Sequence, residues 1–298
     1  MSASPTIALV GPGAIGTTIA AALHEVGRTP TICGRSPRPS LCLRFDGGAI
    51  LVPGPVRTDP AAIGPKAELV FVAVKATQIE AAAPWLAALC DARTVVCVLQ
   101  NGVEQTRRIA PYLPGCPVLP AVVWFPAQRE ADGSVRLRGK PRLTLPRTPM
   151  TGVVLAALQG TRCAVEVAEA ADFTSLAWRK LLQNAVAGLM VLAGRRAGMF
   201  SRPDIAGLAL AYLRECLAVA RAEGAVLDDE VVSEILAQFQ AFPADMGTSI
   251  LADRQAGRPL EWDIRNGVVQ RYGRCHGLPT PISDLIVPLL AAASDGPG

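Results

Sequence analysis

A stretch rich in leucine, valine and alanine carries Trp178, Lys180 and Asn184. Lys180, Asn184 and Gly188 are spaced i, i+4 and i+8, which places them along one face of a helix. An ammonium and an amide in such apolar company are expensive to bury unless a polar partner or ligand meets them. A lysine held that way can be tuned to release its proton near neutrality, whereas an arginine cannot. The 298-residue chain draws attention to the position, because only four of its 29 basic residues are lysine: Lys66, Lys75, Lys140 and Lys180. Asparagine is rarer still, at Asn101, Asn184 and Asn266. A compositional bias explains the scarcity but not which positions keep these residues. With two histidines, His24 and His276, far apart in sequence, neither a histidine metal site nor a Ser-His-Asp set is expected.

A second group of polar residues follows downstream: Ser249 and Asp253, then Glu261, Asp263, Arg265 and Asn266. Glu261 and Arg265 are i, i+4, the spacing of an ordinary surface ion pair.

The elements that must position these groups fall into two halves. Residues 6–10 are a short apolar run, followed by Gly11-Pro12-Gly13-Ala14-Ile15-Gly16 and an alanine-rich helical segment, 17–26. Strand, glycine turn and helix form the context in which G-x-G-x-x-G binds a dinucleotide. Gly11 permits the tight turn, Gly13 lets the backbone approach a pyrophosphate, and Gly16 lets helix and strand pack closely. The second strand, 29–33, ends without the acid that would hold an NAD ribose; Gly34, Arg35 and Ser36 stand there, with Arg38 behind. A guanidinium with a hydroxyl suits a 2′-phosphate, so the cofactor read from the sequence is NADP(H). Residues 68–74 and 94–99 are continuous apolar runs, as buried parallel strands should be. They end in Lys75 and in Gln100-Asn101-Gly102, at the strand ends where ligands of open α/β sheets lie. Further strands, a helix from about residue 151 and a strand at 164–167 are expected to complete the sheet. Beyond residue 168 the pattern is helical: 169–192, 203–223, 229–239, 249–256, 262–273 and 283–293. The expectation is an α/β chain: a Rossmann-type doubly wound parallel sheet over 1–168 that binds NADP, then an all-α substrate and catalytic domain over 169–298, with ligands favouring such domain interfaces.

Composition sets bounds on partners and surroundings. Half of the residues are hydrophobic and the formal net charge is +4, with no run of five basic residues, so neither nucleic acid nor an anionic membrane is expected as a partner. No apolar run approaches about 18 residues, and the first apolar segment has no basic residue before it, so no membrane span or secretory signal is read. The eight scattered cysteines form no C-x-x-C pair and read as small buried hydrophobes of a reducing, cytoplasmic compartment. The apolar helical half is compatible with a homodimer.

Taken in order, Gly11, Gly13 and Gly16; Val74-Lys75; Asn101-Gly102; Trp178-x-Lys180-x-x-x-Asn184; Ser249-x-Leu251-x-Asp253; and Glu261-x-Asp263-x-x-Asn266-Gly267 resemble the blocks of the ketopantoate reductase (2-dehydropantoate 2-reductase) family. The resemblance spans nearly the whole chain and takes in all three asparagines. It implies NADPH-dependent reduction of the 2-keto acid ketopantoate to pantoate, a step toward pantothenate and coenzyme A. It implies further that Lys180 is the general acid and that Glu261 orients it and contacts a substrate hydroxyl. Asn101 and Lys75 would line the nicotinamide-ribose and substrate side, and Asn184 and Ser249 would bind substrate. The chain departs from the family where Gly188 and Met246 replace asparagines, which predicts a bulkier or less polar 2-keto acid. The β-hydroxyacid dehydrogenases share Lys-x-x-x-Asn but lack the block from Glu261 to Gly267. A non-catalytic NADP(H)-binding sensor would need neither Lys180 nor Glu261.

Overall fold

The computed structural model describes residues 6–296. They divide into two compact units, one holding the chain up to Gln100 and Glu104–Ala170, the other holding Asn101–Val103 and the chain from Ala171 onward.

The strands of the first unit, in chain order, are β1 (Ile7–Val10), β2 (Thr31–Cys33), β3 (Ser40–Phe45), β4 (Gly48–Pro53), β5 (Leu69–Val72), β6 (Val95–Val98), β7 (Val118–Pro120), β8 (Val122–Val123), β9 (Ala127–Arg129), β10 (Val135–Leu137), β11 (Arg142–Pro146) and β12 (Ala164–Ala168). Its helices include α1 (Ala14–Glu25), α2 (Ile79–Leu89), α3 (Gln105–Ile109) and α4 (Thr151–Leu158). Five strands form a parallel sheet in the order β2-β1-β5-β6-β7. Successive residues of β1, β5 and β6 face opposite sides. Leu9, Leu69, Phe71, Val95 and Cys97 join α1 in one core, while Ala8, Val10, Val70, Val72, Val96 and Val98 join α2 in another. Burial on both faces is why these strands read as unbroken apolar runs, and it is the doubly wound arrangement expected from the sequence.

Around this sheet the chain departs from expectation. β3 and β4 form a hairpin that continues through β10 to β9 as a second sheet. Leu41 and Leu43 of β3 are buried in the core on the α1 side. The strand expected to complete the main sheet is β12, which instead pairs in parallel with β11 in a third sheet, β12-β11-β8. Leu143 and Leu145 of β11 are fully buried with Val154 and Ala157 of α4 in that same core, so this sheet covers the core rather than extending the edge.

The second unit is helical: α5 (Ala170–Val186), α6 (Gly188–Ala193), α7 (Pro203–Ala222), α8 (Glu230–Ala241), α9 (Ser249–Gln255), α10 (Val268–Cys275) and α11 (Pro281–Asp295). Its core gathers Trp178, Leu182, Phe200, Tyr212, Ile235 and Val268. No helix among the described residues is long and apolar enough to cross a membrane.

Two features here differ from the helices read in the sequence. The segment expected as one helix over 169–192 changes at Ala187 from α5 to α6, so Gly188 does not continue the Lys180–Asn184 face. The helix expected at 262–273 opens with a π-helical turn, Asp263–Gly267, that runs directly into α10. Such turns are rare and recur at functional sites. Asn266 anchors it: fully buried, its Nδ2 donates to the Ala185 carbonyl at 2.8 Å and to the Tyr212 hydroxyl at 3.0 Å. Gly267 leaves room for the Asp263–Arg271 ion pair, since a Cβ there would lie 2.8 Å from Asp263 Oδ1.

Replacing Asn266 by alanine leaves the Tyr212 hydroxyl and a buried carbonyl without their donor. The expected cost is about 1–3 kcal/mol of unfolding free energy, measurable by urea denaturation.

Candidate active site

In the first unit the glycine turn is shaped by contacts between backbones. Gly11 has φ +97°, and a Cβ on it would fall 2.6 Å from the Val74 amide nitrogen. A Cβ on Gly16 would fall 2.2 Å from the Gly11 carbonyl oxygen. Gly13 is different, with nothing within 4 Å of its Cβ position. Gly13 also caps α1 without a side-chain hydrogen bond, and no acid occupies the first turn. First-turn N–H groups beside an open glycine make an anion site, so the turn fits a dinucleotide pyrophosphate. Val74 at the turn brings the following Lys75 to the end of β5, where it is half-buried. Gly34 packs on Pro12, and the exposed Arg35 follows it at the end of β2; Arg38 donates to the Pro12 carbonyl at 3.3 Å.

The second unit assembles the other group of residues. Lys180 and Asn184 lie one turn apart on α5, both half-buried. Burial first, and the Arg265 guanidinium second, lower the Lys180 ammonium from an ordinary lysine's 10.5 to about 7. Arg265 is 2% exposed and Glu261 6% exposed. One guanidinium nitrogen, Nη2, donates both to Glu261 Oε2 at 3.3 Å and to Ser249 Oγ at 3.1 Å. Four side-chain polar atoms of this unit are buried without a hydrogen-bond partner among the described residues: Asn184 Nδ2, Thr248 Oγ1, Arg265 Nε and Asn266 Oδ1. Buried orphans of this kind are uncommon away from ligand sites.

The candidate residues therefore fall into two sets. Gly11, Gly13, Gly16, Arg35 and Lys75 surround the glycine turn. Lys180, Asn184, Ser249 and Glu261 belong to the helical unit, as does Asn101: its neighbour Gly102 has φ +101°, and a Cβ there would lie 3.3 Å from the Ile264 carbonyl of the π-helical turn. The surface ion pair read at Glu261 and Arg265 is in fact buried, because Ile264 and Val268 carry the same turn into the core. Gly188, read as opening space beside Lys180, opens none. A Cβ there would meet Asn266 Nδ2 at 2.8 Å and Leu290 at 3.2 Å. Arg265 and the π-helical turn are the features that sequence reasoning missed. The available signal was an arginine flanked by Ile264, Val268 and Val269.

Two family models match the chain, Ketopantoate reductase PanE/ApbA over residues 7–149 and its C-terminal counterpart over 172–294. A 2-dehydropantoate 2-reductase of Mycobacterium tuberculosis is 56% identical across 98% of this chain and 99% of its own length. One from Caulobacter vibrioides is 36% identical across 97% and 99%. Among solved structures, a dimeric ketopantoate reductase from Staphylococcus aureus superposes with a TM-score of 0.88 at 27% identity, covering 98% of this chain and all of that one.

Gly16 and Gly13 predict opposite behaviour for alanine. Gly16→Ala should lower the thermal unfolding midpoint and abolish dinucleotide binding, since its methyl meets backbone. Gly13→Ala should keep the wild-type midpoint yet weaken binding, as read by fluorescence titration alongside thermal melts.

Proposed function

The chain belongs to the ketopantoate reductase family, and from that premise we propose that it reduces 2-dehydropantoate to pantoate with NADPH, as a homodimer like its Staphylococcus aureus relative. The observation that carries the reading is the Lys180 ammonium, lowered to about 7 in a unit that also holds the buried Arg265–Glu261 pair and the Ser249 hydroxyl bonded to it.

Bound NADPH supplies a hydride to the keto carbon, and the remaining demands fall on this chain's side chains. As the carbonyl oxygen gains negative charge, Lys180 Nζ gives it a proton. An acid with a pKa near the working pH transfers that proton efficiently. Until the transfer, the ammonium charge also stabilises the developing alkoxide. Glu261, held by Arg265, is the carboxylate assigned to orient the ammonium and accept from a substrate hydroxyl. Asn184 Nδ2 and the Ser249 hydroxyl are the donors assigned to substrate oxygens. Asn101 and Lys75 are assigned to the nicotinamide-ribose and substrate side. Arg35, with Ser36, is assigned to the 2′-phosphate, which makes the dinucleotide NADP(H) rather than NAD(H). Because Asn266 fills the space beside Gly188, that glycine gives no reason to prefer a larger keto acid.

Lys180→Ala should lower kcat by about 10² to 10⁴ while leaving NADPH affinity near wild type; unaltered turnover would remove Lys180 from the mechanism. The sign of the pH dependence follows from the role. Reduction needs the protonated lysine, so kcat/KM for 2-dehydropantoate should fall as pH rises through about 7, and pantoate oxidation, which needs the neutral amine, should rise through the same region. Arg35→Ala should weaken NADPH by about tenfold or more and leave NADH almost unchanged; equal weakening of both would remove Arg35 from the phosphate site.

A further inference from the structure

We propose that Arg265 is a positioning residue that turns Ser249 into a hydrogen-bond donor toward the carboxylate of the bound 2-keto acid and, with the same nitrogen, fixes Glu261. This rests on the reductase reading above. A guanidinium only donates, so in the 3.1 Å contact Ser249 Oγ is the acceptor. The serine's single proton is thereby left for another acceptor. Ser249 itself is exposed, while Arg265 behind it is 2% exposed, so a ligand meets the hydroxyl and not the guanidinium. A carboxylate is the part of a 2-keto acid that best matches an O–H polarised from behind by a cation. Thr248 Oγ1, next to Ser249 in the chain, is buried without a hydrogen-bond partner among the described residues, so unused hydrogen-bonding capacity adjoins the serine.

The same guanidinium also acts on Lys180, whose proton it loosens. Of the other charges on these elements, Arg179 is paired with Glu234, Asp253 with Arg258, Asp263 with Arg271 and Glu261 with Arg265 itself, while Asp172 and Arg254 are exposed. Removing the Arg265 charge should therefore move the Lys180 titration upward.

The test is a double-mutant cycle with Arg265→Gln and Ser249→Ala, reading KM for 2-dehydropantoate, together with acetic anhydride labelling of Lys180 followed by mass spectrometry across pH. If Arg265 acts through Ser249, each single variant raises KM by about 10- to 100-fold, and the double variant is no worse than the more affected single. Labelling of Lys180 in Arg265→Gln shifts to higher pH, whereas in Ser249→Ala it stays at the wild-type midpoint. Independent, multiplying effects on KM, or an unmoved Lys180 midpoint in Arg265→Gln, would overturn the proposal. Should Arg265→Gln not fold, Arg265→Met, which keeps the stem and removes the donors, carries the same cycle on KM. Wild-type protein that fails to oxidise NADPH with 2-dehydropantoate sinks the reductase reading instead, and the labelling arm, which needs no substrate, still decides whether Arg265 governs Lys180.

Discussion

In the helical unit, Lys180 and Arg265 hold two cations close enough for one to alter the proton affinity of the other. Two like charges withdrawn from water repel strongly, and the unit relieves this in two ways. Glu261 neutralises Arg265 inside the core, and Lys180 is left as the member that can shed its charge. The division follows from chemistry, since a guanidinium stays protonated at any physiological pH and an ammonium need not. What results is a fixed charge beside a titratable one, the combination that the proposed proton transfer to an alkoxide near neutrality would use.

That arrangement depends on a rigid base. The π-helical turn supplies Arg265, and Asn266 clamps the turn to α5 at Ala185 and to α7 at Tyr212. The clamp reaches α5 one residue beyond Asn184, so the helix that carries Lys180 and the turn that carries Arg265 share a connection. Gly188 serves the clamp, because any larger residue would displace the Asn266 amide. Asn266 is thus structural, and a glycine that looks like a loss makes room for it.

The parts legible in the sequence are those set by local pattern. Strands buried on both faces show as continuous apolar runs, helices of the second unit show by period and punctuation, and the glycine fingerprint marks the dinucleotide turn. The rest depends on partners distant in the chain. The β3–β4 hairpin left a local trace in Asp46-Gly47, a strong turn signal, but strand pairing put β12 beside β11 rather than at the edge of the main sheet. The burial of Glu261 and Arg265 was hidden for the same reason, since i, i+4 spacing is equally suited to a solvated face. The helix change at Ala187 is announced only by Gly188, and a lone glycine inside a helical pattern is tolerated, so the run from Lys180 to Val191 reads as one helix.

The four lysines show how little scarcity alone decides. Lys66 donates to the Ala87 and Ala88 carbonyls at 2.6 and 2.9 Å, satisfying the last turn of α2, a task open to an arginine. Lys140 is exposed, and Lys75 sits half-buried beside the glycine turn. Only at Lys180 does burial coincide with a neighbouring cation and with orphaned amide and guanidinium donors in the same unit. An arginine there would keep its charge throughout and have no proton to give. The difference between the two cations would therefore matter for the proposed proton transfer at one position of the four, and the surroundings of that position, rather than the rarity of its residue type, single it out.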